Sequence, residues 1–349
     1  MKRHGNLYND IINIDNLRLA HLNARKGKTQ YSAVNLVDYD VDSYMWQLHD
    51  MLGDKSFHTS QYTTKQIYEP KQRTIYKLPY FPDRIVHHAI MNVLQPIWDK
   101  TFIYDLYSAI PGKGLHAGSY RLRQFLRDEQ NTQYCLKFDI SKFYLSIDHD
   151  ILLEMISKKI KCKDTMWLLE DIIRSPGGST NVPIGNYLSQ YFSNLYLSKF
   201  DHWLKEDKWT KYYIRYCDDG VILHKDKQFL KGMKKEIEGY MSDNLKLTLN
   251  PKTTILKVNL QGVDFLGYRC FRNYTLLRKS SAKNFKHKIS IIQKHHRKMC
   301  PSHITSSILS YTGWLNHCES RNLLNKYMLK NQNMLDILYP LGIGNTNLK

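Results

Sequence analysis

What most narrows the folds open to this chain is residues 212–223, Tyr-Tyr-Ile-Arg-Tyr-Cys-Asp-Asp-Gly-Val-Ile-Leu, where two β-branched and aromatic runs flank Cys217-Asp218-Asp219-Gly220. Asp-Gly between two such runs is a hairpin signal. The stretch is expected to form a ribbon that lifts Asp218 and Asp219 to its tip. Adjacent carboxylates repel, so the pair needs a compensating cation, and hard oxygen ligands suit Mg2+ or Mn2+. Asp-Asp-Gly also occurs in plain surface turns, so chemistry at the hairpin requires a further acid.

A third acid stands upstream. Tyr134-Cys135-Leu136-Lys137-Phe138-Asp139-Ile140 reads as a short buried strand ending in a lone carboxylate, followed by Ser141-Lys142-Phe143-Tyr144. A strand-end acid, a helical insert and then a Tyr-x-Asp-Asp hairpin resembles the palm of reverse transcriptases. The resemblance implies an α+β right-hand polymerase of fingers, palm and thumb, with an antiparallel palm sheet and a helical thumb. It implies an N-terminal segment and fingers in residues 1–130. The palm with the catalytic acids and primer grip would take 131–278, with 150–185 partly fingers, and a basic thumb 279–349. Asp139, Asp218 and Asp219 become the catalytic acids. Asp139, Ile140, Asp218 and Asp219 become the ligands of two Mg2+ ions, with Mn2+ as the alternative.

Composition agrees with a nucleic-acid partner. The 349 residues carry 51 Lys and Arg against 32 Asp and Glu, a net charge of +19. Such a bias favours a polyanion, nucleic acid first and an anionic membrane surface second. No apolar run approaches the roughly 18 residues of a membrane span, and Met1-Lys2-Arg3-His4 precedes no apolar signal core. A soluble, intracellular protein without membrane contact is expected. The six cysteines stand singly, in no zinc-like spacing, and read as free thiols.

Residues 1–53 read as helical, with Tyr8, Ile11, Ile12, Ile14, Leu17, Leu19 and Leu22 as apolar positions. Residues 25–30 are basic and suit either phosphate contact or a solvated loop. From 57 to 78 the pattern is extended, and Pro70 disfavours helix at its predecessor, so strand, turn and strand are expected with Lys71 and Arg73 near the tip. With residues 78–90 these resemble the fingers of retroelement reverse transcriptases, whose Lys-x-Arg pair contacts the incoming triphosphate. A guanidinium suits phosphate oxygens. Adjacent His87 and His88 would point about 100° apart on a helix, which favours packing over metal ligation. Residues 111–116 are Gly-rich but lack the Walker spacing, and read as a loop before a helix at 117–127.

Tyr144 lies five residues after Asp139, the family's steric-gate offset, which implies exclusion of ribonucleotides and hence DNA synthesis. Residues 147–161 read as a helix with Asp148 and Asp150 as capping acids. Ile184-Gly185-Asn186-Tyr187-Leu188-Ser189-Gln190 resembles the Ile-Gly-x-x-x-Ser-Gln pattern of diversity-generating retroelement reverse transcriptases, which misincorporate chiefly opposite template adenines. Gly185 suits a close backbone approach, and Ile184 and Gln190 are expected to shape the nascent base pair.

Lys252 sits in an extended segment like the family's triphosphate-lysine motif; general acid, charge stabiliser and plain surface lysine all fit. Phe265, Leu266 and Gly267 belong to a stretch resembling the primer-grip hairpin. From 265 to 318 there is no Asp or Glu but ten Lys and Arg. Phe285, Ile289 and Ile292 recur at helical spacing beside Lys283, Lys286, Lys294 and Arg297, as expected of a helix gripping a duplex through phosphates. Residues 323–338 read as a last helix. After Asp264 only Glu319 and Asp336 are acidic, so no RNase H carboxylate cluster is expected.

The implied partners are template RNA, the RNA/cDNA duplex, dNTPs and the small helical-bundle accessory variability protein of mutagenic retrohoming, in the cytoplasm of a bacterial, phage or archaeal host. Two alternatives stay open: a retron, group II-like or phage-defence reverse transcriptase of ordinary fidelity, and a polymerase fold kept only as an RNA-binding scaffold. The three acids disfavour the scaffold, because a binding module on a basic protein has no use for them.

Overall fold

The computed structural model describes residues 3–68 and 72–341. Four helices open the chain, α1 (Leu7–Ile12), α2 (Ile14–Ala24), α3 (Ser32–Tyr39) and α4 (Val41–Gly53). Short polar caps start two of them: the Asn13 side chain accepts from the Asp15 N–H before α2, and Asp40 from the Ser43 N–H before α4. Tyr8, Ile11, Leu17, Leu48 and Leu52 are buried as their spacing requires. Leu19 and Leu22, apolar positions of the same helical stretch, are exposed. Arg25 is engaged by Asp38 at 2.7 Å.

An exposed ribbon follows, β1 (Thr63–Ile67) antiparallel to β2 (Arg73–Lys77), with Ile67 opposite Arg73. The buried helix α5 (Ile85–Trp98) is tied to α2 through Asn16, whose amide donates to the Ala89 carbonyl at 3.1 Å. Next come α6 (Leu115–Leu126), β3 (Tyr134–Phe138), α7 (Phe143–Ser146) and α8 (His149–Ser157). The last starts at His149 rather than 147, because Asp148 caps it by accepting the N–H groups of Asp150 and Ile151, both at 3.1 Å, and it ends at Ser157.

Helices α9 (Lys163–Arg174) and α10 (Tyr187–His202) lead into β4 (Tyr213–Tyr216), β5 (Asp219–His224) and α11 (Lys227–Leu245). Strand β6 (Thr254–Lys257), α12 (Val258–Gln261), β7 (Val263–Phe265), β8 (Tyr268–Cys270) and β9 (Thr275–Leu277) precede α13 (Lys279–His295), α14 (Pro301–Leu315), α15 (Arg321–Leu324) and α16 (Gln332–Leu338). The expected single helix over 323–338 is interrupted, and Asn331 recaps α16 by accepting the Met334 N–H.

The chain packs as two compact units. One comprises Met1–Ile110, Phe138–Gly220 and Met233–Thr253. Its core is aromatic: Trp98, Tyr191, Tyr196, Phe192 and Phe200 are all buried, and the Phe138 ring lies 6.1 Å from Phe200 and 6.4 Å from Tyr213. The other comprises Pro111–Lys137, Val221–Gly232 and Thr254–Lys349. There β3 lies between β5 and β6 and pairs antiparallel with β6, and β7-β8-β9 form an antiparallel meander. Phe285, Ile289 and Ile292 of α13 are buried with Ile304, Ile308 and Leu315 of α14, as the helical spacing predicts. Helices combined with antiparallel sheets bear out the α+β class. Among the described residues no helix is long and apolar enough to cross a membrane.

Candidate active site

The hairpin turns two residues earlier than Asp-Gly suggests. Strand β4 ends at Tyr216 and β5 begins at Asp219, so Cys217 and Asp218 make the turn and Gly220 lies within the strand. The reason is packing: a Cβ on Gly220 would sit 2.1 Å from the Phe138 ring, so only glycine lets β5 run beneath it. The turn instead takes its left-handed residue from Cys217, at φ 51°, an unfavourable conformation for a side chain bearing Cβ.

Two hydrogen bonds hold that residue in place. The Cys217 N–H donates to Ser108 Oγ at 3.0 Å, and Arg215 Nη1 donates to the Cys217 carbonyl at 2.7 Å. Arg215 is fully buried, and its Nε donates to Asp201 Oδ1 at 2.7 Å. Tyr213, two residues earlier on the same strand face, donates its hydroxyl to the same oxygen, also at 2.7 Å. Burial opposes the guanidinium charge, but Asp201 outweighs it and the Arg215 pKa is raised. A buried, bidentate pair thus braces the turn that presents Asp218.

Asp139 directly follows β3, and its orientation is fixed from the loop after α11. Asn250 donates its backbone N–H to the Asp139 carbonyl at 2.7 Å and its side-chain amide to Asp139 Oδ2 at 3.0 Å. Buried Ile140 bridges Leu249. Asp139 and Asp218 meet: burial first, then the Asp139 carboxylate, pushes Asp218 up to about 7. Asp219 opens β5 beside them. Tyr144 joins this group. Burial raises its phenol pKa, and the Cys217 thiol and Asp218 carboxylate add to the rise; its hydroxyl lies 3.3 Å from Ser193 Oγ. Among the described residues no three His, Cys, Asp or Glu side chains close a metal cage. The donor set still fits Mg2+, which binds through one or two carboxylates completed by water and substrate phosphates.

Of the expected nucleotide contacts, Arg73 lies on β2 and Ile184 and Gly185 lie against it. Arg73 is exposed at the start of the strand; Lys71 lies outside the described residues. Tyr76 donates its N–H to the Ile184 carbonyl at 2.8 Å. Gly185, at φ 118°, comes so close that a Cβ would be 2.7 Å from the Tyr76 carbonyl oxygen, so its close approach is to the β1–β2 ribbon. Gln190 is exposed in the first turn of α10, its carbonyl accepting from Ser193, the residue beside Tyr144. Lys252 is exposed, two residues after Asn250, whose side chain accepts its N–H at 3.0 Å.

The remaining expected contacts belong to the second unit. Phe265 is buried at the end of β7; Leu266 and Gly267, at φ 50° and 84°, make the two-residue turn into β8. Lys283, Lys286 and Lys294 lie exposed on α13, and Arg297 is exposed just after it. Ser108, Asp201, Arg215 and Asn250 were not singled out from sequence. Arg215 gave a signal: a cation between apolar neighbours in a strand, on the face of Tyr213, demands a buried partner.

Residues 64–270 match the family described as reverse transcriptase (RNA-dependent DNA polymerase). The chain is 27% identical over 263 residues to Protein YkfC of Escherichia coli K12, covering 62% of this chain and 69% of YkfC. It is 21% identical over 280 residues to the group II intron-encoded protein LtrA of Lactococcus lactis subsp. cremoris, covering 59% of this chain and 46% of LtrA. A likeness to apo telomerase from Candida tropicalis truncated from the C-terminal domain has a TM-score of 0.49 and 15% identity, covering 65% of this chain and 58% of the telomerase. The chain therefore spans under two thirds of LtrA and of that telomerase. With more than half its length matched, and its acids on a strand end and a Tyr-x-Asp-Asp hairpin, the chain belongs to the reverse transcriptase family.

Proposed function

We propose that this protein copies RNA into cDNA by nucleotidyl transfer at Asp139, Asp218 and Asp219. The observation carrying the proposal is the convergence of Asp139 and Asp218, where burial first and then the neighbouring Asp139 carboxylate push Asp218 up to about 7. Like charges so placed are costly unless a cation or proton lies between them. Two Mg2+ or Mn2+ ions, held by Asp139, Ile140 and Asp218 with Asp219 in support, would supply activation of the primer 3′-hydroxyl and charge neutralisation on the triphosphate. The chain's own residues do the positioning. Arg215 and Ser108 fix the turn, Asn250 aims Asp139, Tyr144 excludes a 2′-hydroxyl, and Arg73, Lys71 and Lys252 bind phosphate oxygens. In this proposal residues 1–130 supply the fingers, 131–278 the palm and 279–349 the thumb, with α13 gripping the duplex.

The finer proposal is an error-prone enzyme of a diversity-generating retroelement, working in the host cytoplasm with an accessory variability protein. It rests on Ile184, Gly185, Ser189 and Gln190, and gains support from the attachment of Ile184 and Gly185 to β2, which links any shift of the Arg73 ribbon to the pocket wall. The likeness to LtrA favours a group II-like enzyme of ordinary fidelity as the rival. Primer extension on RNA with Mg2+, with and without the accessory protein and retroelement RNA, followed by cDNA sequencing, separates them. Errors concentrated at template adenine support the mutagenic enzyme; uniformly faithful cDNA supports the rival, and RNA binding without cDNA refutes both.

A further inference from the structure

The second unit holds a cavity of about 320 Å3 that the polymerase chemistry does not use, with Arg123, Arg127 and Arg272 in its wall against one acid, Glu319. Arg272 is spent on structure. It donates to the carbonyls of Leu126 at 2.9 Å and of Glu129 and Thr132 at 3.2 Å, and to the Asn259 side chain. All these acceptors are neutral, so its charge remains uncancelled at the cavity. Arg123 lies over the Tyr120 ring at 5.4 Å, and its Nε is buried without an acceptor. A buried N–H is rarely left so, and the guanidinium of an arginine in the cavity wall suits phosphate oxygens. Arg127 is exposed at the C-terminal end of α6.

The same wall carries an aromatic platform. Phe271 and Tyr274 stack with ring centroids 4.5 Å apart and planes 19° apart, and Tyr274 stays 46% exposed. Arginines beside an open aromatic face are the pairing used for single-stranded nucleic acid, phosphate on the cation and base on the ring. The volume lies at the small end of ligand sites, about 300–1,000 Å3, which suits one nucleotide.

We propose that this cavity holds one nucleotide of a single-stranded RNA, its phosphate on Arg123 and Arg127 and its base on Tyr274. The site stands independently of the catalytic acids. An acidic peptide would satisfy the arginines but leave the aromatic pair without a role.

The test uses the full chain and a short unstructured RNA carrying 4-thiouridine, photocrosslinked and mapped by peptide mass spectrometry. An adduct is expected on the peptide containing Phe271 and Tyr274, competed by uridine monophosphate but not by uridine. The double substitution Arg123→Gln, Arg127→Gln should reduce that adduct about tenfold while other adducts persist. It should also lower the slope of log affinity against log salt by about 0.7, the value for one single-strand phosphate contact. Arg272 is left in place because it ties backbone together. No adduct on that peptide, or an adduct and salt slope indifferent to the double substitution, overturns the proposal. So does displacement by polyglutamate as effective as by uridine monophosphate, which would reassign the cavity to an acidic protein.

Discussion

Asn250 grips Asp139 twice, backbone N–H to carbonyl at 2.7 Å and side-chain amide to Oδ2 at 3.0 Å. The bonds fix both the height of the acid above β3 and the rotation of its carboxylate. A residue that orients a ligating carboxylate typically affects metal affinity or activity about 10- to 100-fold.

Asn250→Ala should therefore lower single-turnover dNTP incorporation by about 10- to 100-fold with RNA affinity unchanged. Asn250→Asp should be worse, since it sets a third charge against Asp139 and Asp218. Apparent Mg2+ affinity, read from rate against metal concentration, should weaken in both; an unchanged metal dependence would make Asn250 a loop staple only.

Arg215 and Asp201 have no exposed side-chain surface. Removing one partner of such a pair costs about 3–5 kcal/mol, whereas replacing both by apolar groups is often neutral. Arg215→Met should unfold at much lower urea, and Arg215→Met with Asp201→Leu should recover most of the loss. The double variant should still extend primers poorly, because the Cys217 carbonyl has lost its donor. Recovery of stability and rate together would limit the pair to the core.

Gly220 faces Phe138. Gly220→Ala forces ring and strand apart, for which overpacking costs of about 1–3 kcal/mol are typical. Phe138→Leu in the same chain should relieve part of it. Denaturation midpoints of the single and double variants measure the coupling, and strictly additive effects would mean that the two residues do not meet.

His87 is buried in α5 and its Nε2 has no partner. Burial first, then His88 and Arg84, lowers its pKa from 6.5 to about 3. The folded value lies below the unfolded one, so the unfolded chain takes the proton first. Stability from neutral His87 is complete above the unfolded value and is lost as pH falls toward 3, at up to about 1.4 kcal/mol per pH unit. Urea midpoints at about pH 7.5 and about pH 5 should differ less in His87→Leu than in the parent chain; an equal difference would show that His87 is protonated when folded.

The elements most legible in the sequence were those whose chemistry is local. The periodicity of Phe285, Ile289 and Ile292 specified the buried face of α13, the β-branched runs specified β4 and β5, and Asp148 served as the cap it resembled. The turn was misplaced by local chemistry as well, since Asp-Gly is a turn signal and only the distant Phe138 makes Gly220 a strand residue. Leu19 and Leu22 read as apolar positions, yet both are exposed, because exposure depends on which neighbours cover a helix. The support around the acids was least legible: Asn250 and Asp139 are separated by 111 positions, and Arg215, Asp201 and Ser108 meet only through tertiary packing.

The measurement that bears most directly on the catalytic assignment compares the parent chain with Asp218→Asn in RNA-templated primer extension, each with Mg2+ and with EDTA, alongside RNA binding by fluorescence anisotropy. The parent should synthesise cDNA only with metal. Asp218→Asn should make none under either condition while binding RNA as tightly, because the substitution removes a carboxylate from the metal-binding set and leaves the basic surface intact. Synthesis by Asp218→Asn at a rate near that of the parent would contradict the account and move the chemistry away from the hairpin.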